Sequence, residues 1–238
     1  MAQLPLVVGH RGWLARCPEN TLASLRAAAD LGVGALEFDL YLSSDGHMVV
    51  IHDASVDRTT DGTGRVQEMT LAELKRLDAG GWFAPEFAGE RIPTLDEVLA
   101  AAPEGLLLYP EVKDGRPEMV ERLAPVALEW SERMVVHSFH SGFLEAFHAA
   151  APAVRTALLG SVDKLDLLAE ARRLGCGGIH PSMKGLTRQA VAGWQAEGFA
   201  VMTWTVRDEA DARRALALEP DAVGADCPDV VLRRLGRI

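Results

Sequence analysis

The feature that most constrains this chain is an alternation that runs its whole length. Short apolar runs, read as strands, fall at Leu6–Val8, Ala35–Leu40, Leu106–Val112, Met134–Phe139, Arg155–Leu159, Gly178–His180, Val201–Val206 and Ala222–Asp226. Between and after them lie stretches whose apolar residues recur at helical spacing. These are Thr21–Leu31, Leu95–Ala102, Glu118–Glu132, Gly142–Ala150, Lys164–Leu174, Thr187–Glu197, Asp208–Leu218 and Asp229–Leu235. Gly32, Gly175 and Gly198 mark helix ends, and Pro152 and Pro220 stand just past two others. Eight strand–helix units in 238 residues predict an α/β fold of the (β/α)8 TIM-barrel type. A doubly wound open sheet fits less well, because no GxGxxG follows the first strand. At 48% hydrophobic, the chain suits one large domain over residues 1–238 at least as well as two small ones.

One run breaks the count. Met48–Ile51 follows the second strand after only Ser43-Ser44-Asp45-Gly46. A parallel neighbour needs a crossover of about a dozen residues, so this piece must be antiparallel, a hairpin turning at Asp45-Gly46. That pairing sets Asp39 opposite His52 to within a residue. Residues 54–93 are then polar, Gly-rich and irregular apart from a short helix at Leu71–Leu77. A loop of that length inside a barrel is expected to be an inserted cap over the barrel mouth.

The predicted strands end on chemistry. His10-Arg11-Gly12, Glu37-Phe38-Asp39, His52-Asp53 and Glu111-Val112-Lys113 each close an apolar run. In barrels of this type, active sites lie at the C-terminal ends of the strands. Period-two alternation puts Glu37 and Asp39 on one face. With Glu111 they make a hard, all-oxygen set that favours Mg2+ or Ca2+ over zinc. His10 and His52 are candidates for general acid and base, since imidazole titrates near neutral pH. Arg11 and Lys113 can hold a phosphate, and Phe139 and Trp204 end later strands where they could wall the pocket. Such an inventory suits metal-assisted cleavage of a phosphate ester. His47, His137, His140 and His148 show no companion chemistry and read as structural. His180 ends a strand before Pro181 and could line the mouth.

Charge narrows the partners. The net charge is −10, and no basic cluster exceeds Arg172-Arg173 or Arg233-Arg234, which argues against nucleic acid. No apolar run is long enough to cross a bilayer, and His10 already closes the first strand, which predicts no cleaved leader and no stable membrane association. Cys17, Cys176 and Cys227 are odd in number and form no CxxC, so free thiols in a reducing cytoplasm are expected.

The run from Gly9 to Gly64 resembles the glycerophosphodiester phosphodiesterase family, most closely its short cytosolic bacterial members. The resemblance rests on HRG at His10–Gly12, PENT at Pro18–Thr21, the Glu37/Asp39 pair, His52-Asp53 and DRTTDGTG at Asp57–Gly64. IPTLDEVL at Ile92–Leu99, EVK at Glu111–Lys113, SF at Ser138-Phe139, WTV at Trp204–Val206 and ADCPD at Ala225–Asp229 extend it along the chain. It implies a TIM barrel with a small inserted cap and one divalent metal on Glu37, Asp39 and Glu111. It also implies catalytic His10 and His52, with Arg11 and Lys113 near the phosphate. The implied reaction is hydrolysis of glycerophosphodiesters, small-molecule substrates, to glycerol 3-phosphate and an alcohol. The chain departs from the pattern at Ala225 in the closing segment and at Arg207-Asp208 after WTV. Two rival readings are a lysophospholipid phosphodiesterase of the lysophospholipase D type, with Trp82, Phe83 and Phe87 as an apolar lip, and a non-catalytic phosphodiester-binding barrel.

Overall fold

The computed structural model describes residues 4–238. Eight parallel strands close into a barrel: β1 (Leu6–Gly9), β2 (Ala35–Leu42), β4 (Leu107–Val112), β5 (Val135–Ser138), β6 (Arg155–Gly160), β7 (Gly178–Pro181), β8 (Ala200–Val206) and β9 (Ala222–Ala225). Each pairs with the next, and β1 closes the ring by pairing with both β9 and β2. β3 (Met48–Val50) is the antiparallel hairpin partner of β2. Its register pairs Leu40 with Val50, and the Ile51 N–H donates to the Asp39 carbonyl at 3.0 Å. Ile51 therefore faces Asp39 and His52 follows one residue on, within the expected margin.

The outer layer contains α1 (Leu22–Leu31), α3 (Leu95–Ala101), α4 (Pro117–Glu129), α5 (Ser141–Ala150), α6 (Leu167–Arg173), α7 (Arg188–Ala196), α8 (Glu209–Ala217) and α9 (Pro228–Arg234). α2 (Leu71–Leu74) belongs to the segment between β3 and α3. Short polar side chains satisfy the free N–H groups at the helix starts: Thr21, Thr94, Thr187 and Asp208 each accept from the third residue on. α6 starts later than its periodicity predicts because Asp166 is its cap, accepting from Ala169 N–H. α2 stops after one turn, and the Arg76 and Leu77 N–H groups tighten into three-residue hydrogen bonds instead of extending the helix to Leu77.

Two apolar layers follow from strand alternation. Leu36, Phe38, Leu40 and Leu42 face the helices, while Val8, Ala35, Tyr109, Val135, Ala157, Met202 and Ala222 fill the barrel interior. Phe38, fully buried between Glu37 and Asp39, thus turns both carboxylates inward. Phe38→Ala should lower stability by about 3–5 kcal/mol, read as a displaced denaturant midpoint at constant slope. A third cluster of Val49, Ile51, Val56, Val66, Leu74, Ala79 and Ile92 joins the hairpin to the inserted segment. The segment is thus seated on a small apolar core of its own.

Candidate active site

Strand register brings the site together. Asp39 on β2 lies opposite Glu111 on β4, and Glu111 lies opposite His137 on β5. His10 and Arg11 follow β1, Lys113 follows β4, and His52 follows β3. His10, Arg11, Glu37, His52, Glu111, Lys113, His137, Phe139 and Trp204 all line one cavity of about 210 Å3 at this end of the barrel. The structure therefore gathers eight of the nine residues expected from the sequence along that wall. The ninth, Asp39, lies fully buried directly behind it. The Phe139 and Trp204 rings meet edge to face at 5.7 Å, and Lys113 Nζ stands 5.9 Å from the Phe139 ring centre.

The turn after β1 is shaped to present its backbone. Arg11 has a φ of 56°, and its N–H donates to Glu37 Oε2 at 2.7 Å. Gly12 follows at φ 89°, where a Cβ would fall 2.3 Å from Ser24 Oγ, so no other residue fits. Asn20 Nδ2 donates to Asp39 Oδ2 at 2.7 Å, and its Oδ1 accepts the Asp39 N–H at 3.1 Å. The Pro18–Thr21 motif thus orients the carboxylate on one side and starts α1 on the other.

Charge is concentrated and opposed. Burial works against an ionised Asp39, yet Lys113, Arg11, His52 and the Asn20 hydrogen bond together hold its pKa well below the usual carboxylate range. Lys113 Nζ stands 3.2 Å from Asp39 Oδ1 and also pairs with Glu111, while Arg11 Nε stands 3.3 Å from Asp39 Oδ2. Glu37 goes the other way: burial first, then Asp39 and Glu111, raise its pKa well above the usual value. Glu111 is pushed up to about 7 by burial and by Asp39. Three neighbouring carboxylates cannot all ionise while only Arg11 and Lys113 offset them.

Glu37 Oε1 is buried without any donor, and the buried Asp39 Oδ1 and Glu111 Oε1 face only the Lys113 ammonium. A cluster of buried carboxylate oxygens so thinly supplied with donors fits a bound cation. His137 Nε2 is likewise buried without a partner, and ligand atoms of Glu37, Glu111 and His137 all lie within 4.8 Å of one another. His137, expected to be structural, is therefore at the site. Its Nδ1 lies 3.0 Å from His180 Nδ1, and burial depresses both imidazoles, His180 to about 3.

Each candidate catalytic histidine is held by a carboxylate. His10 Nδ1 lies 2.6 Å from Asp226 Oδ1, a residue just past β9, and its Nε2 is 3.9 Å from Glu37 Oε2. His52 Nδ1 lies 2.6 Å from Asp53 Oδ1. Asp53 also accepts from Arg58 Nε at 2.6 Å, and Arg58 donates twice more to Glu19, each at 2.8 Å. Glu19 in turn accepts from Arg11 at 2.9 Å. Burial, despite Asp39, lowers the pKa of His52, with Arg11 and Lys113 adding to the effect. Arg58 is the inserted segment's link to this network; the segment's side chains do not line the cavity. Trp82, Phe83 and Phe87 stack edge to face in that segment, away from the cavity wall.

Arg58→Leu should cost about 10–10² in rate by loosening His52 and Arg11. It should also move the acid limb of the pH–rate profile upward, since Asp53 then acts on His52 without a competing cation. An unmoved limb would leave Arg58 a purely structural role.

The sequence from residue 10 to residue 230 matches the model of the glycerophosphoryl diester phosphodiesterase family. A glycerophosphodiester phosphodiesterase of Caldanaerobacter subterraneus subsp. tengcongensis is 36% identical over 233 residues, 95% of this chain and 96% of the relative. A phosphodiesterase from Oleispira antarctica, solved in complex with the product sn-glycerol-3-phosphate, superposes with a TM-score of 0.89 at 32% identity, covering 98% of this chain and 97% of that one. A glycerophosphodiester phosphodiesterase from Agrobacterium tumefaciens gives a TM-score of 0.85 at 29% identity, covering 97% and 100%. Closed parallel barrel, clustered carboxylates, paired histidines and full-length similarity agree: this chain belongs to the glycerophosphoryl diester phosphodiesterase family.

Proposed function

We propose that this chain hydrolyses glycerophosphodiesters to glycerol 3-phosphate and an alcohol. One observation carries the reading: two histidines, each held by its own carboxylate, flank a cavity with buried anionic oxygens and two cations. The product named for the Oleispira antarctica relative fits a cavity of this size and polarity.

In this reading Arg11 and Lys113 bind the phosphate's non-bridging oxygens and offset the charge that builds in the transition state. His52, kept neutral by burial, is the base. It takes a proton from the attacking hydroxyl, whether of water or of the neighbouring glycerol carbon. His10, oriented by Asp226, gives a proton to the leaving alcohol. Phe139 and Trp204 wall the side where the glycerol or its head group lies. Glu37, Asp39 and Glu111 hold one divalent cation; taken alone, these carboxylates favour Mg2+ or Ca2+. When bound, it supplies Lewis-acid withdrawal of charge from the phosphate. Residues 54–93 act as a cap that braces the site from one side through Arg58. Three buried free thiols support the reading that the protein works in a reducing cytoplasm.

Cation binding should depend on pH. Glu111 has its pKa at about 7, above the ordinary 4.5, so below pH 7 it carries a proton that the cation must displace. Affinity should rise with pH through about 7, and the raised pKa of Glu37 extends the rise above it. Calorimetry in buffers of different ionisation enthalpy should show proton release on binding at about pH 6 that shrinks as the pH is raised.

The lysophospholipid alternative needs an acyl groove. The exposed Phe139 and its neighbour Trp204 are the apolar surface nearest the cavity mouth, and the Trp82 ridge lies apart from them. Glycerol 3-phosphate release from glycerophosphocholine and glycerophosphoethanolamine, with Mg2+, with Ca2+ and with chelator, tests the proposal. Metal-dependent release supports it. Turnover of lysophospholipid alone, or tight binding without turnover, would replace it with one of the two rivals.

A further inference from the structure

We infer that His137 Nε2 is a ligand to the divalent cation, making the site a mixed nitrogen–oxygen set that prefers later first-row transition ions such as Co2+ and Ni2+ over Ca2+. The inference rests on the metal-dependent reading above and deepens it by naming the class of ion.

Three observations converge. His137 is 1% exposed, and its Nε2 has no hydrogen-bond partner. A buried imidazole nitrogen left bare is costly unless something fills the position. Second, ligand atoms of Glu37, Glu111 and His137 lie within 4.8 Å of one another. Two ligands on opposite sides of one small ion at about 2.1 Å each stand about 4.2 Å apart, so this group can close on a cation with small side-chain shifts. Third, the ring is oriented from behind. With the two Nδ1 atoms 3.0 Å apart, one must donate and the other accept. If His137 Nδ1 donates to His180, its Nε2 carries a lone pair toward the two glutamates. Backing a ligating imidazole by a hydrogen bond at its other nitrogen is the usual way such a ligand is fixed. His180 is itself held by the barrel, its carbonyl accepting from Trp204 Nε1 at 2.9 Å.

The consequence for selectivity is chemical. Calcium takes six to eight oxygens at longer distances and gains little from imidazole, whereas imidazole suits the later divalent ions. His137 thus adds a nitrogen donor to the carboxylate set of Glu37, Asp39 and Glu111, its ligand atom falling in one compact group with those of Glu37 and Glu111.

The test is cation binding to the purified metal-free protein, without substrate. Calorimetry should give tighter binding of Co2+ and Ni2+ than of Ca2+. His137→Gln should lose at least about tenfold in Co2+ affinity while Ca2+ affinity changes little. Unchanged Co2+ affinity in a folded His137→Gln protein, or equal Co2+ and Ca2+ affinity in the unaltered protein, would overturn the inference. Should His137→Gln fail to fold, X-ray absorption of the Co2+-loaded unaltered protein decides: imidazole scattering is expected, and an all-oxygen shell refutes it. His10 Nε2 also lies near Glu37, so the spectrum is repeated on His10→Asn. The imidazole signal should persist there; its loss would assign the nitrogen to His10 instead. Phosphodiester turnover is assayed separately. Turnover with an all-oxygen shell sinks this inference alone, while a His137-dependent Co2+ site without turnover sinks only the catalytic reading.

Discussion

His10→Ala should lower kcat by about 10²–10⁴ while divalent-cation affinity stays near that of the unaltered protein. The split follows from geometry. His10 is held by Asp226 at 2.6 Å, and its nearest approach to the carboxylates is 3.9 Å, to Glu37. Removing the ring therefore takes away a proton carrier and leaves the buried oxygens of Glu37, Asp39 and Glu111 in place. His52→Ala should lose a comparable factor. The two differ in rescue. If His10 delivers the proton to the leaving alcohol, a substrate with a nitrophenol leaving group needs little protonation. His10→Ala should then recover most of its rate on that substrate, whereas His52→Ala should not. Equal deficits on both substrates would reverse or void the assignment of acid and base. Near-normal turnover in either variant would remove that histidine from the reaction.

Glu37→Ala and Asp39→Ala should abolish activity and the metal requirement together, though by different routes. Glu37 accepts the Arg11 N–H at 2.7 Å and offers one oxygen without a donor. Its loss removes a cation ligand and frees the left-handed turn at Arg11. Asp39 is the carboxylate against which Arg11 and Lys113 are both set. Its removal leaves two buried cations short of a counter-charge, so a stability loss of about 3–5 kcal/mol should accompany the loss of activity. Denaturant titration separates the two cases, with Asp39→Ala displaced further than Glu37→Ala. Full metal-dependent turnover in both variants would mean that the cation binds elsewhere.

Much of this arrangement was legible before folding, where the chemistry was local. Glu37 and Asp39 read as a pair because alternation is a two-residue rule, and Phe38 between them confirms the parity by facing the helices. The hairpin was legible because four residues cannot make a parallel crossover. His137 lines the cavity, and the sequence carries a signal for that position. It stands two residues before Phe139, on the same strand parity, and Phe139 was expected in the wall; the partners that reveal it, Glu111 on β4 and His180 on β7, are remote in sequence. Glu19, Asn20, Arg58 and Asp226 were visible as parts of motifs but without roles. Each acts through another residue: Asn20–Asp39 and Glu19–Arg58 form only once the first strands and the inserted segment pack together, and Asp226–His10 only once the barrel closes. Boundaries shifted where a cap overrode periodicity, as Asp166 does for α6.

The seam between β1 and β9 joins the first barrel strand to the last, and it is also where His10 meets Asp226. The carboxylates lie on β2 and β4, which pair directly with each other away from that seam. A barrel loosened along the seam would thus keep its ion cluster and lose the alignment of His10 first. During synthesis the order is the same: the anionic cluster is complete less than halfway along the chain, and the brace for His10 arrives only with the closing strand. The orientation of His10 is in this sense a readout of ring closure.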